Sequence, residues 1–335
     1  MGVQPATLAR CLKCTGRIHE GDLLRDGWWL FLLVTLLMIS SGCGGGSSSF
    51  SPKPGLDPTP TTTPQFAHVF VLVEENQQYS DIIGNPSLPF LNSLATKNAL
   101  ATNYFANAHS SLLDYFMLTT GQTIVSDDNF SGIVTADNVV RALTAAGKTW
   151  RVYAEGLPST GYLGKSAFPY AKEHNAFAYF SDVVNDPNQG SNIVDISQLT
   201  ADVNGGQFAD YSLIVPGQAS NSHDCPVGLT SCSNTDKLSA MDTWLQNTTS
   251  PLLASPVFQQ NSVLIITFDE SVVDDVANGG GKVATIFVGP QVKPGYQSTA
   301  FYQHQSTLRF TLEALGVHDL PGAAASAPTM SEFFQ

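Results

Sequence analysis

The sequence predicts an α/β fold, a three-layer αβα sandwich built on a mostly parallel central sheet. Two observations point there. The runs His68–Val73 and Val263–Phe268 are continuously apolar and β-branched rather than alternating, as in strands buried on both faces. Segments with helical spacing lie between the strand-like runs, which is the order a parallel sheet needs for its crossovers. Composition supplies the material: 335 residues at 43% hydrophobic and 10% aromatic content can bury a sizeable core and are not the makeup of a disordered chain. Five Cys in this length exclude a small disulfide scaffold, and a net charge of -13 argues against a partner bound by phosphate neutralisation, so no nucleic acid is expected.

The chain opens with an address. Trp28–Ile39 reads WWLFLLVTLLMI, a run too short to span a bilayer comfortably and typical of the apolar part of a signal peptide. Arg10, Lys13, Arg17 and Arg25 precede it; Ser40, Ser41, Gly42 and Cys43 follow. A Cys directly after small residues resembles the bacterial lipoprotein signal, in which Cys43 is lipidated and becomes the first mature residue. Ser40 stands where that pattern prefers Leu, and an ordinary signal peptide is the alternative. Cys11 and Cys14 lack a partner pair and carry no metal reading. Residues 44–65 are rich in Gly, Ser, Pro and Thr and read as a tether. The expected organisation is a signal peptide over 1–43, a linker over 44–65 and one domain over 66–335. The expected location is outside the cytoplasm, either secreted or in a bacterial cell envelope, with a lipid anchor to the membrane.

Within the domain, His68–Val73 predicts a strand that runs into Glu74, Glu75 and Asn76. Helices follow over 85–97, with Leu88, Leu91 and Leu94 on one side, and over 110–120. Val139–Ala146 reads as a helix and Thr149–Ala154 as a strand. Ser159–Asn204 is poorly patterned and reads as a cap or irregular insertion. A short strand at Tyr211–Val215, a helix over Met241–Leu253, strands at Val263–Phe268 and Val283–Val288, and a helix over Ser306–Leu315 complete the series.

Two buried strands far apart in sequence both end in acids. If both lie in one parallel sheet, Glu75, Asn76, Asp269 and Glu270 meet at its carboxyl edge, where open α/β sheets bind their ligands. Four hard oxygen donors suit one divalent cation, Ca²⁺, Mg²⁺ or Mn²⁺. The plainer alternative is that each pair caps the next helix. The stretch Ala108–Tyr115 reads AHSSLLDY, and a Ser at a helix start lies where backbone N–H groups favour anions. One of Ser110 and Ser111 is then the cap and the other a nucleophile. His223, His174 and His304 are candidates to hold phosphate or carry a proton. Cys225 and Cys232 lie in one loop, and an exported protein is expected to join them as a disulfide.

These motifs occur in a recognisable order: HVFVLVEENQQYSDIIG, NYFANAHSSLLDYFMLTTGQ, WRVYAEGLP, KEHNAF, YSLIVPGQASNSHDC, MDTWL, LIITFDE, GGGKVATIFVGPQVKPG and YQHQSTLRFTLEALG. From Phe66 to Gln335 the chain resembles the bacterial phosphoesterase family of secreted acid phosphatases and phospholipases C, within the alkaline-phosphatase-like superfamily. The resemblance implies that Glu75, Asn76, Asp269 and Glu270 hold the metal together with Ser111, the nucleophile. It implies that Asp114 and His223 assist catalysis, and that His109, His174 and His304 contact the substrate phosphate. The chain departs from the family pattern at Met241 before Asp242, at Lys282 after the Gly run, and at Ser220–Asn221.

The expected reaction is metal-dependent hydrolysis of a phosphate monoester through a phosphoserine on Ser111. The substrate is a small phosphate ester or a phospholipid head group. A phospholipase C or other phosphodiesterase is the second enzymatic reading. A surface lipoprotein that binds phosphate without turnover is the third, and it would be favoured by loss of a ligand or nucleophile, none of which is missing.

Overall fold

Parallel pairing of the two apolar runs sets the frame of the molecule. The computed structural model describes residues 62–335; the signal peptide, most of the linker and Cys43 lie outside the described residues. In chain order the strands and α-helices are β1 (His68–Glu74), α1 (Tyr79–Ile82), α2 (Pro89–Lys97), β2 (Ala99–Phe105), α3 (Ser111–Thr120), α4 (Val139–Ala145), β3 (Trp150–Ala154), α5 (Ser181–Val184), α6 (Pro187–Gly190), β4 (Ile193–Asp195), α7 (Ser197–Gly205), β5 (Tyr211–Val215), α8 (Asn234–Ala254), α9 (Pro256–Asn261), β6 (Ser262–Phe268), β7 (Lys282–Val288), β8 (Gln297–Ser298), β9 (Tyr302–Gln303) and α10 (His304–Ala314).

One nine-stranded sheet runs β4-β3-β5-β1-β6-β7-β2-β8, with β9 beside β2. β1 and β6 pair in parallel along their whole length, from His68 against Ser262 to Glu74 against Phe268. All pairs are parallel except those of β7, which runs antiparallel to both β6 and β2. The apolar run Val283–Val288 predicts a strand, but its direction follows from the short return at residues 269–281, which leaves no room for a crossover helix. The central strands are buried on both faces. The helices that cover them fall into two sets: α3 and α4 pack on α10, while α2, α7 and α9 pack on α8. The αβα layering is as expected.

Several elements exceed the sequence reading. β2 carries Ala99, Thr102 and Asn103, too polar and small a pattern to stand out as a strand. α8 begins at Asn234, seven residues before the apolar spacing becomes visible, because Ser233 and Asp236 form a capping box there. α10 begins at His304 and α2 at Pro89. The segment 159–204 is more ordered than an irregular insertion: it contains single helical turns, β4 and α7. Phe66 is buried and its N–H donates to Ala314 O at 2.8 Å, and Thr63 and Gln65 before it also bond to Glu313. The hydrophobic core extends from Phe66 to Phe334.

Asp242, the acid that follows Met241, has a structural task. Its buried carboxylate accepts the N–H groups of Phe90 (3.0 Å) and Leu91 (2.8 Å), fixing the start of α2 to α8. An Asp242→Ala substitution is expected to lower unfolding stability by about 1–3 kcal/mol, since it leaves buried helix donors without a partner. Urea denaturation measures it; a change below about 0.5 kcal/mol would count against this role.

Candidate active site

The parallel register of β1 and β6 brings their acidic ends side by side. Asp269 N–H donates to Glu74 O at 3.0 Å, and Asn76 N–H donates to Asp269 Oδ1 at 3.2 Å. Asn76 Nδ2 donates to Glu270 Oε1 at 2.7 Å. The expected quartet Glu75, Asn76, Asp269 and Glu270 therefore converges at the carboxyl edge. The loop after β5 closes the back of it: Ser222 Oγ donates to Glu75 O at 2.8 Å, and Glu75 N–H donates to Asn221 O at 3.2 Å. Glu74 is not part of the group. Strand alternation turns its side chain the other way; burial, then Glu155 and Asp242, hold its carboxyl well above the ordinary range.

β2 ends at the same edge and leads into α3. Ser110 has φ 97° and occupies the N-cap position, with its N–H donated to Glu270 Oε2 at 2.9 Å. Ser111 is the first helical residue, buried, and its hydroxyl points to Glu75 Oε2 at 3.3 Å. Between the two serines, Ser111 is thus the one aimed into the acid group. Asp114, one turn on, is fully buried. Its Oδ1 accepts the N–H groups of Asn107 (2.8 Å) and Ala108 (3.2 Å), which ties the entry loop to the helix.

The histidines divide into three kinds. His174 and His304 are buried among the acids. His174 Nε2 lies 3.0 Å from Glu75 Oε1, with its ring stacked on Tyr115. His304 Nε2 donates to Asp269 O at 2.5 Å and lies 3.4 Å from Asp114 Oδ1, while its Nδ1 accepts from the Tyr104 hydroxyl at 3.0 Å. Burial lowers both imidazoles, His304 to about 4, so both are neutral at pH 7. His109 is held at the rim, with Nδ1 2.8 Å from Glu270 Oε2 and Nε2 2.9 Å from Asp275 O. Both ring nitrogens are committed, so His109 orients Glu270 rather than facing the site. His223 departs from expectation. It is exposed, pairs with Asp224 at 2.9 Å, and makes no contact with Ser111 or the acids. Its neighbours Asn221 and Ser222 face the site through their backbone and hydroxyl instead. Cys225 and Cys232 are bonded in the same loop.

Electrostatics is the main property of the group. Burial, reinforced by Glu270, pushes Glu75 up to about 8. Burial and the neighbouring Glu75 hold Asp269 far above the carboxylate range. Burial raises Asp114 as well, against the two backbone donors that lower it, and raises Glu270. Among the described residues no Lys or Arg pairs with any of them. Four buried oxygens lack a hydrogen-bond partner: Glu75 Oε1, Asn76 Oδ1, Asp114 Oδ2 and Asp269 Oδ2. Such orphans are costly unless something else satisfies them. A hard divalent cation fits this donor set by charge and by atom type. Among the described residues no group of three or more His, Cys, Asp or Glu side chains is arranged to hold a metal ion as it stands, so these donors would have to turn toward a common centre to do so. Both Glu270 oxygens are taken by Asn76, His109 and Ser110, so the oxygens left free belong to Glu75, Asn76, Asp114 and Asp269.

Some residues here had no signal in the sequence. Asp128 Oδ1 accepts the N–H of Leu112 at 2.9 Å and so helps to fix the start of α3. It stands in a polar run with Asp127, and nothing local distinguishes the two. Tyr104 and Asp275, which orient His304 and His109, are likewise set by tertiary contact alone. Lys282 lies with its Nζ 4.5 Å from the ring centroid of Tyr79.

Residues 85–318 match the Phosphoesterase family. The chain is 32% identical over 276 residues to a phosphatidylinositol-3-phosphatase of Mycobacterium tuberculosis, covering 81% of this chain and 84% of that protein. It is 27% identical over 271 residues to a probable acid phosphatase of Kluyveromyces lactis, covering 76% of this chain but 60% of the yeast protein. Among solved structures, a protein of the alkaline phosphatase superfamily from Vibrio parahaemolyticus superposes with a TM-score of 0.56 at 14% identity, over 80% of this chain and 71% of that one. A sulfatase from Pseudoalteromonas gives 0.55 at 13%, over 81% and 72%. These two likenesses concern the fold.

The raised carboxyls give the metal-free protein a definite pH dependence. For Glu75 the folded value is about 8 against 4.5 for the free group, so over that interval the folded state holds a proton the unfolded chain has lost. The stability this contributes is fully present below about pH 4.5 and is lost as pH rises through about 8. In EDTA, the melting temperature is expected to fall between pH 5 and pH 8 by about 4 °C or more, at roughly 2–4 °C per kcal/mol. A melting temperature that is level or rising over this range would contradict the crowded-acid description.

Proposed function

The chain belongs to the phosphoesterase family, hydrolases acting on phosphoric ester bonds, and on that premise we propose that it hydrolyses phosphate monoesters through Ser111 with the help of one divalent cation. The observation that carries this reading is the Ser111 hydroxyl, buried at the start of α3 and directed at Glu75 beside four unpaired oxygens. Glu75, Asn76, Asp269 and Asp114 would hold the cation, with Glu270 as a further donor once released from Asn76. When bound, a divalent cation supplies charge neutralisation and lowers the pKa of a hydroxyl.

The chain's own groups account for the rest. With a cation bound, Glu75 would give up the proton it otherwise holds below about pH 8, and its Oε2 would then be the acceptor nearest to the Ser111 hydroxyl. Ser111 Oγ attacks phosphorus as the bond to the leaving alcohol breaks, giving a phosphoserine; water then attacks the same phosphorus and frees Ser111. The N-terminal end of α3 favours negative charge on the phosphoryl oxygens. His174 lies beside Glu75 Oε1, the carboxyl oxygen that does not face Ser111. Asp114 is buried and tied to backbone, so it positions the entry loop and α3 rather than meeting the leaving group. The rigid hold on Ser110 by Glu270 and His109 fixes the direction of Ser111.

Ser111→Ala is expected to lower kcat by at least about a thousandfold, and Ser110→Ala to stay within about threefold of wild type. The reverse pattern would move the nucleophile to Ser110. Hydrolysis of p-nitrophenyl phosphate is expected to stop in EDTA and return with Mg²⁺, Mn²⁺ or Ca²⁺. Turnover that is indifferent to EDTA sinks the metal part of the reading, and a preference for bis-p-nitrophenyl phosphate would make the enzyme a phosphodiesterase.

We further assign an exported chain anchored through Cys43, a reading supported by the bonded Cys225 and Cys232, which suit an oxidising compartment. Cys43→Ala is expected to shift the protein from the detergent phase to the aqueous phase in Triton X-114 partitioning of cells. An unchanged distribution would favour the ordinary signal peptide.

A further inference from the structure

A second group of acids lies at the carboxyl ends of the strands, and the reaction described so far does not use it. β5 runs between β1 and β3 and is parallel to both. Leu72 lies opposite Ile214, and Ala154 opposite Val215, so the next positions set Glu74 and Glu155 on the two sides of Pro216. The ladder holds up to that point, since Glu155 N–H still donates to Val215 O at 2.9 Å. Residues level with one another in a pleated sheet turn their side chains to the same face. For Glu74 this is the face opposite to that of Glu75 and Ser111. After burial itself, Glu155 and then Asp242 are the influences that raise the Glu74 carboxyl.

Glu74 is fully buried, and among the described residues it is the only side chain with two buried polar atoms that both lack a hydrogen-bond partner. The surrounding donors are already spent. Pro216 has no N–H to offer. The Gly217 N–H goes to Glu155 Oε2 at 2.7 Å, which leaves Glu155 Oε1 free. Asp242 is occupied by the N–H groups of Phe90 and Leu91. Lys237 of α8 donates to His223 O at 2.6 Å. Among the described residues no Lys, Arg or His forms an ion pair with Glu74 or Glu155. An orphaned buried carboxyl calls for an ion or a water that completes it. A proton removes the charge of Glu74 but adds a donor and still leaves the other oxygen bare. A hard cation satisfies both oxygens at once, because a carboxylate can bind it through the pair.

We propose that Glu74 and Glu155 bind a hard cation of the Ca²⁺ type on this face of the sheet, separate from any ion at Ser111. No group of three or more His, Cys, Asp or Glu side chains is arranged for a metal among the described residues, so backbone oxygen and water supply the rest of the shell, as Ca²⁺ accepts. The ion fastens three segments. Glu155 opens the excursion 155–180, which carries His174. Gly217, bonded to Glu155, opens the excursion 216–233, whose Asn221 and Ser222 hold the backbone of Glu75. Glu74 precedes Glu75 on the chain. The ion touches neither substrate nor Ser111; it holds the two excursions at the spacing the active site uses. The inference does not depend on the phosphoesterase reading.

The test counts Ca²⁺ bound to the full-length protein by equilibrium dialysis with radioactive calcium, after stripping with EDTA. Asp269→Asn disables the acid group beside Ser111 and is expected to leave one equivalent bound. Adding Glu155→Gln or Glu74→Gln to Asp269→Asn is expected to remove that equivalent. A cooperative melt in EDTA checks that each variant is folded. Glu155 is only partly buried, so Glu155→Gln decides if Glu74→Gln does not fold, and the difference between wild type and Glu155→Gln decides if Asp269→Asn does not. A thermal shift gives a second readout: Ca²⁺ is expected to raise the melting temperature of Asp269→Asn and to lose that effect once Glu155→Gln is added. If Asp269→Asn binds no Ca²⁺, or if the equivalent it binds survives both glutamate substitutions, the inference is overturned and Glu74 is a buried neutral acid. Loss of an equivalent in Glu155→Gln but none in Asp269→Asn would keep this site and remove the cation from Ser111.

Discussion

Four carboxyl groups, those of Glu75, Asp114, Asp269 and Glu270, are gathered at one sheet edge, largely out of water and without a single Lys or Arg partner among the described residues. That crowding is the constraint on which the rest of the structure depends. Isolated buried carboxylates cost several kcal/mol each, so they persist only where the scaffold leaves them no alternative position. The scaffold meets that requirement with β1 and β6, paired residue by residue up to the edge, and with backbone N–H groups from Asn76, Asn107, Ala108 and Ser110 that accept no substitute geometry. Three non-glycine residues around the site, Asn76, Ser110 and Ser222, take positive φ. Each such conformation costs of order 1 kcal/mol and is held by its surroundings. The site therefore draws on the stability of the sheet and does not add to it.

The two serines illustrate how local strain becomes chemical direction. Ser110 and Ser111 have the same hydroxyl and are adjacent in sequence. Ser110 has φ 97°, and its backbone is clasped by Glu270, which is clasped in turn by His109. The following residue is thereby turned inward as the first residue of α3, close to Glu75. The selection between the serines is made by backbone, not by any difference in the side chains themselves.

Much of this was legible before any coordinates, for a physical reason. Strands buried on both faces must be continuously apolar, so an abrupt change to Glu74-Glu75-Asn76 or Asp269-Glu270 marks a strand end. The alternation of strands and helices predicted the layers, and the two acidic ends predicted the quartet on the condition that both strands share one sheet, with helix capping as the alternative. The direction of β7 was not predicted, because an apolar hexapeptide has no polarity of its own. β2 was missed because Ala99, Ala101 and Asn103 carry little strand preference and break up its apolar pattern. The histidines were only half readable. His174 and His304 are fixed by packing on Tyr115 and Tyr104, contacts that span many residues, and His223 proved to be the exposed partner of Asp224. Asp128 was invisible, since one acid in a polar run differs from the next only by where α3 happens to begin.

The connections of the sheet differ sharply between its two edges. At the edge away from the acids, α2 passes to β2 through Asn98 alone, α9 runs directly into β6, and α4 reaches β3 across residues 146–149. At the acidic edge the chain takes 155–180, 216–233 and 269–281 in longer excursions without a strand. The chain that walls the acids is thus also core: Tyr170, Phe177 and Phe180 of the excursion after β3 are buried in the hydrophobic core, so the site and the fold share one segment and neither can be altered there without the other.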